Sequence, residues 1–372
     1  MDLKLKCITI CMLILIFISC GHKSKNKVEY ILNEKPIWQN DINVTIEKIL
    51  DVGCDDLDKP DYIFGFISDI AVDKNDNVYI LDHINSKVSK FSEQGKFSNS
   101  YGKGKGQGPG EFQNMHNICV DDSGNIYITD ATKRTISLFN SSNNFINEYK
   151  TEDRIRPLND IAVFYNSHLF LGIDIKSYRI GWKGGLFQIY SLPDFKFVKS
   201  LGTSSWVSKN WGVFTGTNRI AIDQINKQII ISHAYPYEIE IFHLDGTLIK
   251  SFGRKASFFE DMIVDPTYNR IKTTAGASIC MARLPNGIII NVIRHIVRKS
   301  PKSKINLIRY FDFFNEKGEY LLTIPEVKFN IEKEAYNIQM ESDSKGFLWI
   351  SHVDPYPHIS KVKIIFNKKN TK

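Results

Sequence analysis

Six returns of one short motif, a turn signal about every ten residues and uniformly short apolar runs predict an all-β fold. The arrangement they predict is a six-bladed β-propeller of four-stranded antiparallel blades. The motif is DIAVD at 69–73, and it returns as NICVD at 117–121, DIAVF at 160–164 and RIAID at 219–223. Looser copies stand at 278–282 (SICMA) and 337–341 (NIQME). Successive copies are 43–59 residues apart.

The first strand of each unit is the motif itself. Isoleucine holds its second place in all six copies, and the third is small in five: Ala71, Cys119, Ala162, Ala221 and Cys280, with Gln339 in the sixth. Innermost strands converge on a propeller axis, where a small side chain relieves crowding. Cys119 and Cys280 therefore read as small buried hydrophobes standing in for alanine. The second strand begins eight to ten residues beyond each isoleucine: VYILD, IYITD, LFLGI, IIISH, IIINV and LWISH. These runs are apolar on both faces, as expected when both faces of a blade meet neighbours. Third and fourth strands follow, as in KVSKFSEQGKFSNSYG and EIEIFHLDGTLIKSFG, with Gln-Gly or Asp-Gly at the turn. The sixth unit has only three strands and ends in KVKIIFN at 361–367. Its fourth is expected from the other end of the chain, where NVTIEKIL at 43–50 is a lone strand pattern. Such closure leaves no open sheet edge in the ring.

The glycine-rich stretch YGKGKGQGPGEFQN at 101–114 does not have the spacing of a Walker loop or of a dinucleotide fingerprint. A strand–turn–strand pattern follows it, which makes it a crossing between blades. With the next blade, SYGKGKGQGPGEFQNMHNICVDDSGNIYITD, it resembles the NHL-repeat propellers. The wording KGQGPGEF is most similar to six-bladed propeller lipoproteins that bacteria encode in many copies. The resemblance is specific over residues 63–150 and implies the fold; one propeller scaffold hosts binders, lyases and lactonases.

The ends of the chain carry separate signals. Residues 1–19 combine a basic start with the apolar run CITICMLILIFIS, a signal-peptide pattern too short for a membrane-spanning helix. The run ends in FISC, which resembles a bacterial lipobox and implies lipidation of Cys20. The expected organisation is a signal peptide at 1–19, a lipidated tether at 20–42, the propeller at 43–367 and a basic tail at 368–372. The globular part then lies outside the cytoplasm, in the cell envelope, with the membrane as a partner through Cys20. The formal net charge of +7 is concentrated in Lys23, Lys25 and Lys27 and in Lys361, Lys363, Lys368, Lys369 and Lys372. The body is slightly acidic and lacks an aromatic-interleaved basic stripe, which argues against nucleic acid. Beyond the signal and the anchor, Cys54, Cys119 and Cys280 form neither a metal knuckle nor a paired framework.

Alternation of strand direction puts the loops between strands one and two, and between three and four, on one face, where they are tight. The long segments fall on the other face, at 102–116, 177–185, 202–217, 254–277 and 294–304. Function concentrates in loops held by a rigid frame, so that second face is the expected site. The residue before each isoleucine is polar: Asp69, Asn117, Asp160, Arg219, Ser278 and Asn337. Ends of second strands add His233 and His352, whereas Asp82 and Asp130 read as turn-holding residues. Trp182, Trp206, Trp211, Tyr235, Tyr237 and Tyr356 offer aromatic contact.

Three functions compete. The leading reading is a ligand-binding module, with Arg219, whose fork suits a carboxylate or sulfate, pointing to an acidic glycan or peptide; its alternative is simple pairing with Asp69 or Asp160. The second is a metal-dependent hydrolase or lyase: propeller lactonases hold calcium with Glu, Asn and Asp, and amidating lyases use histidines with zinc. Asp69, Asn117, Asp160 and Asn337 offer oxygen ligands and His116, His233 and His352 nitrogen ones. Neither ligand pattern transfers residue by residue, because Arg219 interrupts the ring and no glutamate stands in it, so no cofactor is assigned. The third is a docking scaffold for a protein partner.

Overall fold

The computed structural model describes residues 28, 30–38, 41–151, 160–172, 187–201, 219–233, 237–256, 263–265, 270–273, 276–297, 306–331 and 338–369. Six four-stranded antiparallel blades succeed one another along the chain. The first strands of the blades are Ile67–Val72, Met115–Val120, Ile161–Phe164, Arg219–Asp223, Gly276–Arg283 and Met340–Ser342. Each of these packs against the first strands of both neighbouring blades, and the sixth packs against the first. The ring is therefore closed around an axis lined by first strands.

Burial explains the absence of clean alternation in the sequence. Val78–Asp82, Ile126–Asp130 and Leu348–His352 are buried at every position, since each second strand packs on a neighbouring blade through both faces. One interblade core joins Tyr79, Tyr101, Phe112 and Phe139 between the first and second blades. Another joins Val78, Phe91, Trp349 and Ile359 across the seam between the sixth and the first.

The seam closes as the sequence implies. Ile42–Val52 pairs antiparallel with His358–Lys368, from Ile42 opposite Lys368 to Val52 opposite Ile359, with a bulge between Lys48 and Leu50. Asn43–Leu50 and Lys361–Asn367 lie within this ladder.

Two features have no counterpart in the sequence reading. Part of the segment expected to be a passive tether is an extra strand. Tyr30–Asn33 adds in parallel to Leu248–Arg254, making the fourth blade five-stranded. From there the chain runs across the outside of the fifth blade. Asn33 Nδ2 donates to the carbonyls of Gly253 and Gly318, Tyr320 N donates to Asn33 Oδ1, and the amides of Ile37 and Trp38 donate to Tyr320 and Leu321. The strap thus ties the fourth blade to the fifth. In addition, the long segment between the fourth and fifth blades carries a short hairpin, Ile263–Asp265 with Arg270–Thr273.

The glycine-rich crossing is closed on itself. Phe112 N donates to Gly104 O, Lys103 N to Gly110 O and Gly108 N to the Glu111 carboxylate. Phe112 is fully buried. Gly102, Gly104 and Gly110 hold φ of +100°, +89° and +78°, a region that residues with a Cβ rarely adopt. Backbone amides that would otherwise cradle a phosphate are spent inside the loop.

Candidate functional site

Turn geometry sets the register of the axial wall. In the first, second and sixth blades an aspartate opens the tight turn after the first strand, and its carboxylate accepts backbone amides two and four residues on: Asp73, Asp121 and Asp343. Leu284 takes the equivalent backbone place in the fifth blade. Counting back four residues from each turn gives the innermost ring: Asp69, Asn117, Asp160, Arg219, Cys280 and Gln339. Pairing with the second strands agrees, opposing Asp69 to Leu81, Arg219 to Ser232 and Cys280 to Val292. In the last two blades this is two residues beyond the motif's own register. Cys280 stands where Ser278 was expected, and Gln339 stands where Asn337 was expected; Asn337 itself lies outside the described residues.

Ring members tie the blades together. Asp69 Oδ2 accepts Ile118 N at 2.9 Å, and Asp160 accepts Ile161 N at 2.9 Å and Ile220 N at 2.8 Å. Arg219 is buried, 8 % exposed. Its Nε donates to Ile279 O at 3.1 Å and its Nη2 to Gln339 Oε1 at 3.0 Å. The guanidinium is therefore committed to two blades beyond its own, with Asp160 and Asp69 near enough to stabilise its charge. Asn117 Oδ1 is buried without a hydrogen-bond donor among the described residues.

Above this floor is a cavity of about 410 Å³ running along the axis to the strand one–two turns, where Lys74, Asp122, Ile225, Pro285 and Ser344 form its mouth. The next layer of wall residues, two beyond the ring, includes Ala71, Cys119, Ala162, Ala221 and Glu341. Four are small. The fifth is a carboxylate whose hydrogen bond comes from the following amide, Ser342 N, at 3.1 Å.

Among the cavity's lining residues, Asp69, Asp73, Asp121, Asp122, Asp160, Asp223, Glu341 and Asp343 outnumber the cations Lys74, Arg219 and Arg283. Some acids are answered locally: Asp223 by Arg283 at 2.5 Å, Asp343 by Lys361 at 2.9 Å and Asp73 by Lys90 at 3.4 Å. Asp69 and Asp160 are answered by Arg219. Burial, followed by repulsion from Asp160, pushes Asp69 up to about 7 despite the opposing pull of Arg219. Burial pushes Glu341 up to about 8, with repulsion from Asp69 and Asp160 adding to it. Burial also raises the Asp160 carboxyl and lifts the Cys280 thiol to about 12.

The sequence-derived residues separate into four groups. Asp69, Asn117, Asp160 and Arg219 share the axial ring. His233, His352 and Tyr237 are buried elsewhere. His233 Nε2 bonds the Glu240 carboxylate at 2.6 Å, and Tyr237 donates to Asp312 at 2.5 Å between the fourth and fifth blades. His352 stacks on His358 with ring centroids 4.6 Å apart, beside a smaller polar cavity under the sixth blade. At 5 % exposure Tyr237 is a core residue and presents no stacking platform. Trp182, Trp206, Trp211 and Tyr235 lie outside the described residues, as do the signal segment and Cys20. Asp82 and Asp130 hold their turns, accepting the amides of Asn85 and of Thr132 and Lys133, and also fasten the preceding crossing through the amides of Gly65 and Phe66 and of Gln113 and Asn114. Among the described residues no three His, Cys, Asp or Glu side chains converge to hold a metal ion, and no helix is long and apolar enough to cross a membrane.

Aligning the sixth copy on its isoleucine conceals Glu341. Aligning DSKGF at 343–347 with DDSGN at 121–125 assigns Gln339 to the ring and Glu341 to the small-residue layer.

A family model described as a 6-bladed beta-propeller, DUF5128, matches residues 26–290. Comparison with curated proteins finds none that matches. Among solved structures, a member of the DUF4221 family from Bacteroides vulgatus is similar with a TM-score of 0.61 at 10% identity, over 88% of this chain and 100% of that one. A Bacteroides fragilis protein named as a candidate exported protein is similar with a TM-score of 0.53 at 13% identity, over 91% of this chain and 99% of that one. At these identities the likeness is one of fold.

Proposed function

This chain belongs to the DUF5128 family of six-bladed β-propellers, and we propose that it is a ligand-binding module whose site is the axial cavity. The observation that carries this reading is Glu341, a lone carboxylate in a layer otherwise made of small side chains, above a hydrogen-bonded polar floor. A cavity of about 410 Å³ with a few placed polar groups suits a small molecule or the terminal group of a larger one. The acidic ligand suggested by Arg219 loses its main support, since that guanidinium already donates to Ile279 and Gln339. The cavity's mouth lies at the strand one–two turns, on the face opposite to the long aromatic segments that the sequence favoured, so those loops are not part of this site.

The lipobox-like sequence at Cys20 supports a lipid-anchored form of the protein, with the propeller outside the cytoplasm. Lipid labelling of the full chain is expected to vanish in Cys20→Ser. A labelled variant would place the anchor elsewhere.

The binding reading is tested by thermal-shift and calorimetric screening of a chain lacking residues 1–20 against small sugars, amines, carboxylates and short peptides. Binding that weakens on Glu341→Gln or Asp69→Asn supports the cavity. Ligands that bind with affinities indifferent to both substitutions overturn it.

A further inference from the structure

Resting on the reading that the axial cavity binds a ligand, we infer that the ligand enters with a cationic group, a primary ammonium, seated against Glu341 above Asp69 and Asp160. Charge is the first reason. Asp69, Asp160 and Glu341 line the cavity together, and the guanidinium of Arg219 is turned to Ile279 O and Gln339 Oε1. A cation brought among carboxyls that burial holds protonated favours their ionised forms and gains an ion pair. Shape is the second. Four small side chains, Ala71, Cys119, Ala162 and Ala221, share the lining with Glu341, whose hydrogen bond comes from its neighbouring amide, so oxygen acceptor capacity is left for a ligand. An ammonium carries three donors and no acceptor, which complements the carboxyl oxygens of Glu341, Asp69 and Asp160 in the lining; a carboxylate or sulfate offers them only further acceptors.

Protonation makes the inference directional. The charged groups that act on Glu341 are Asp69 and Asp160, which oppose its ionisation, and burial keeps the Cys119 and Cys280 thiols of the same lining neutral. Glu341 and Asp69 hold their protons up to about 8 and about 7. An entering ammonium favours their ionised forms, so binding releases protons and tightens as pH rises through this range. An anionic ligand shows the reverse dependence.

The test uses paired probes on the chain lacking residues 1–20: putrescine against butanediol, glucosamine against glucose, and glucuronate. Calorimetry in buffers of different ionisation enthalpy reads affinity and proton release together. An ammonium probe is expected to bind at least about tenfold tighter than its neutral partner, with proton release, and to lose that margin in Glu341→Gln, on the scale of one charge-assisted hydrogen bond. Glu341→Asp, which retains the charge, is expected to retain part of it. Neutral or anionic probes that bind in the cavity as tightly as the ammonium ones overturn the ammonium assignment and leave the cavity reading standing. If every probe that binds ignores both Glu341→Gln and Asp69→Asn, the cavity reading falls with it. If no probe binds, the ammonium assignment is overturned for small amines.

Discussion

Replacing Glu341 with glutamine removes a carboxylate that the folded chain holds at a cost once it ionises. Burial raises its pKa from the ordinary 4.5 to about 8. A group whose folded pKa is raised contributes stability that is complete below its unfolded pKa and is lost as pH rises through the folded one. Wild-type stability should therefore decline from the ordinary carboxylate range up to about 8, while Glu341→Gln, neutral throughout, escapes this component. A tenfold change in a protonation equilibrium corresponds to about 1.4 kcal/mol, and water in the open cavity screens part of the effect, leaving about 2–4 kcal/mol. For a chain of this length that is a rise of roughly 3–6 °C in midpoint. The assay is thermal unfolding of both proteins across acid to alkaline buffers. Midpoints should nearly coincide near pH 4 and separate by that interval near pH 9, with the glutamine variant higher. A constant offset at all pH values, or a less stable variant on the alkaline side, refutes the placement of Glu341 in a desolvated acidic cavity.

Deleting residues 42–52 exposes a full edge of the sixth blade and is expected to lower the midpoint far more than deleting residues 21–27; equal midpoints would contradict ring closure by the N-terminal strand. Asn33→Ala removes two donated bonds and one accepted bond of the strap and should cost about 1–3 kcal/mol in denaturant unfolding; no loss would mean the strap contributes nothing to holding the fourth and fifth blades. Asp160→Ala leaves the amides of Ile161 and Ile220 without their acceptor and should cost about 2–4 kcal/mol, whereas Asp160→Asn, which retains an acceptor oxygen, should cost less; the reverse order would point to the charge and not the hydrogen bonds.

The fold was legible because a propeller repeats its physics: an isoleucine packing between blades, a small residue facing the axis and a turn after each strand. Closure was legible because a three-stranded last unit and a lone first strand each leave backbone groups unpaired. The strap was not legible, because Tyr30–Asn33 pairs through its backbone and Asn33 has no local signature of a bond to residues more than 200 positions away. Four of the six ring positions could be read directly, since Asp69, Asn117, Asp160 and Arg219 occupy the motif's first place. In the last two blades, side chains of the first strand slip by two relative to the motif's isoleucine, and only the turn fixes the register. That slip hid Glu341. His233 and Tyr237 looked like site residues because polar aromatics near strand ends are equally suited to satisfying one another in a core, as their bonds to Glu240 and Asp312 do.

Ligand is expected to bind on the axis, inside the ring of first strands. Ala221 lines the cavity in its small-residue layer, so Ala221→Phe places a ring in the space in front of Glu341. The decisive measurement is a calorimetric titration of the tightest ligand from the screen into wild type, Ala221→Phe and the double variant Trp206→Ala/Trp211→Ala. Binding should be lost in the plugged protein, with its unliganded fold intact by circular dichroism, and largely kept in the double variant. Unchanged affinity in Ala221→Phe together with loss in the tryptophan double variant would move the site off the axis and onto the long-loop face.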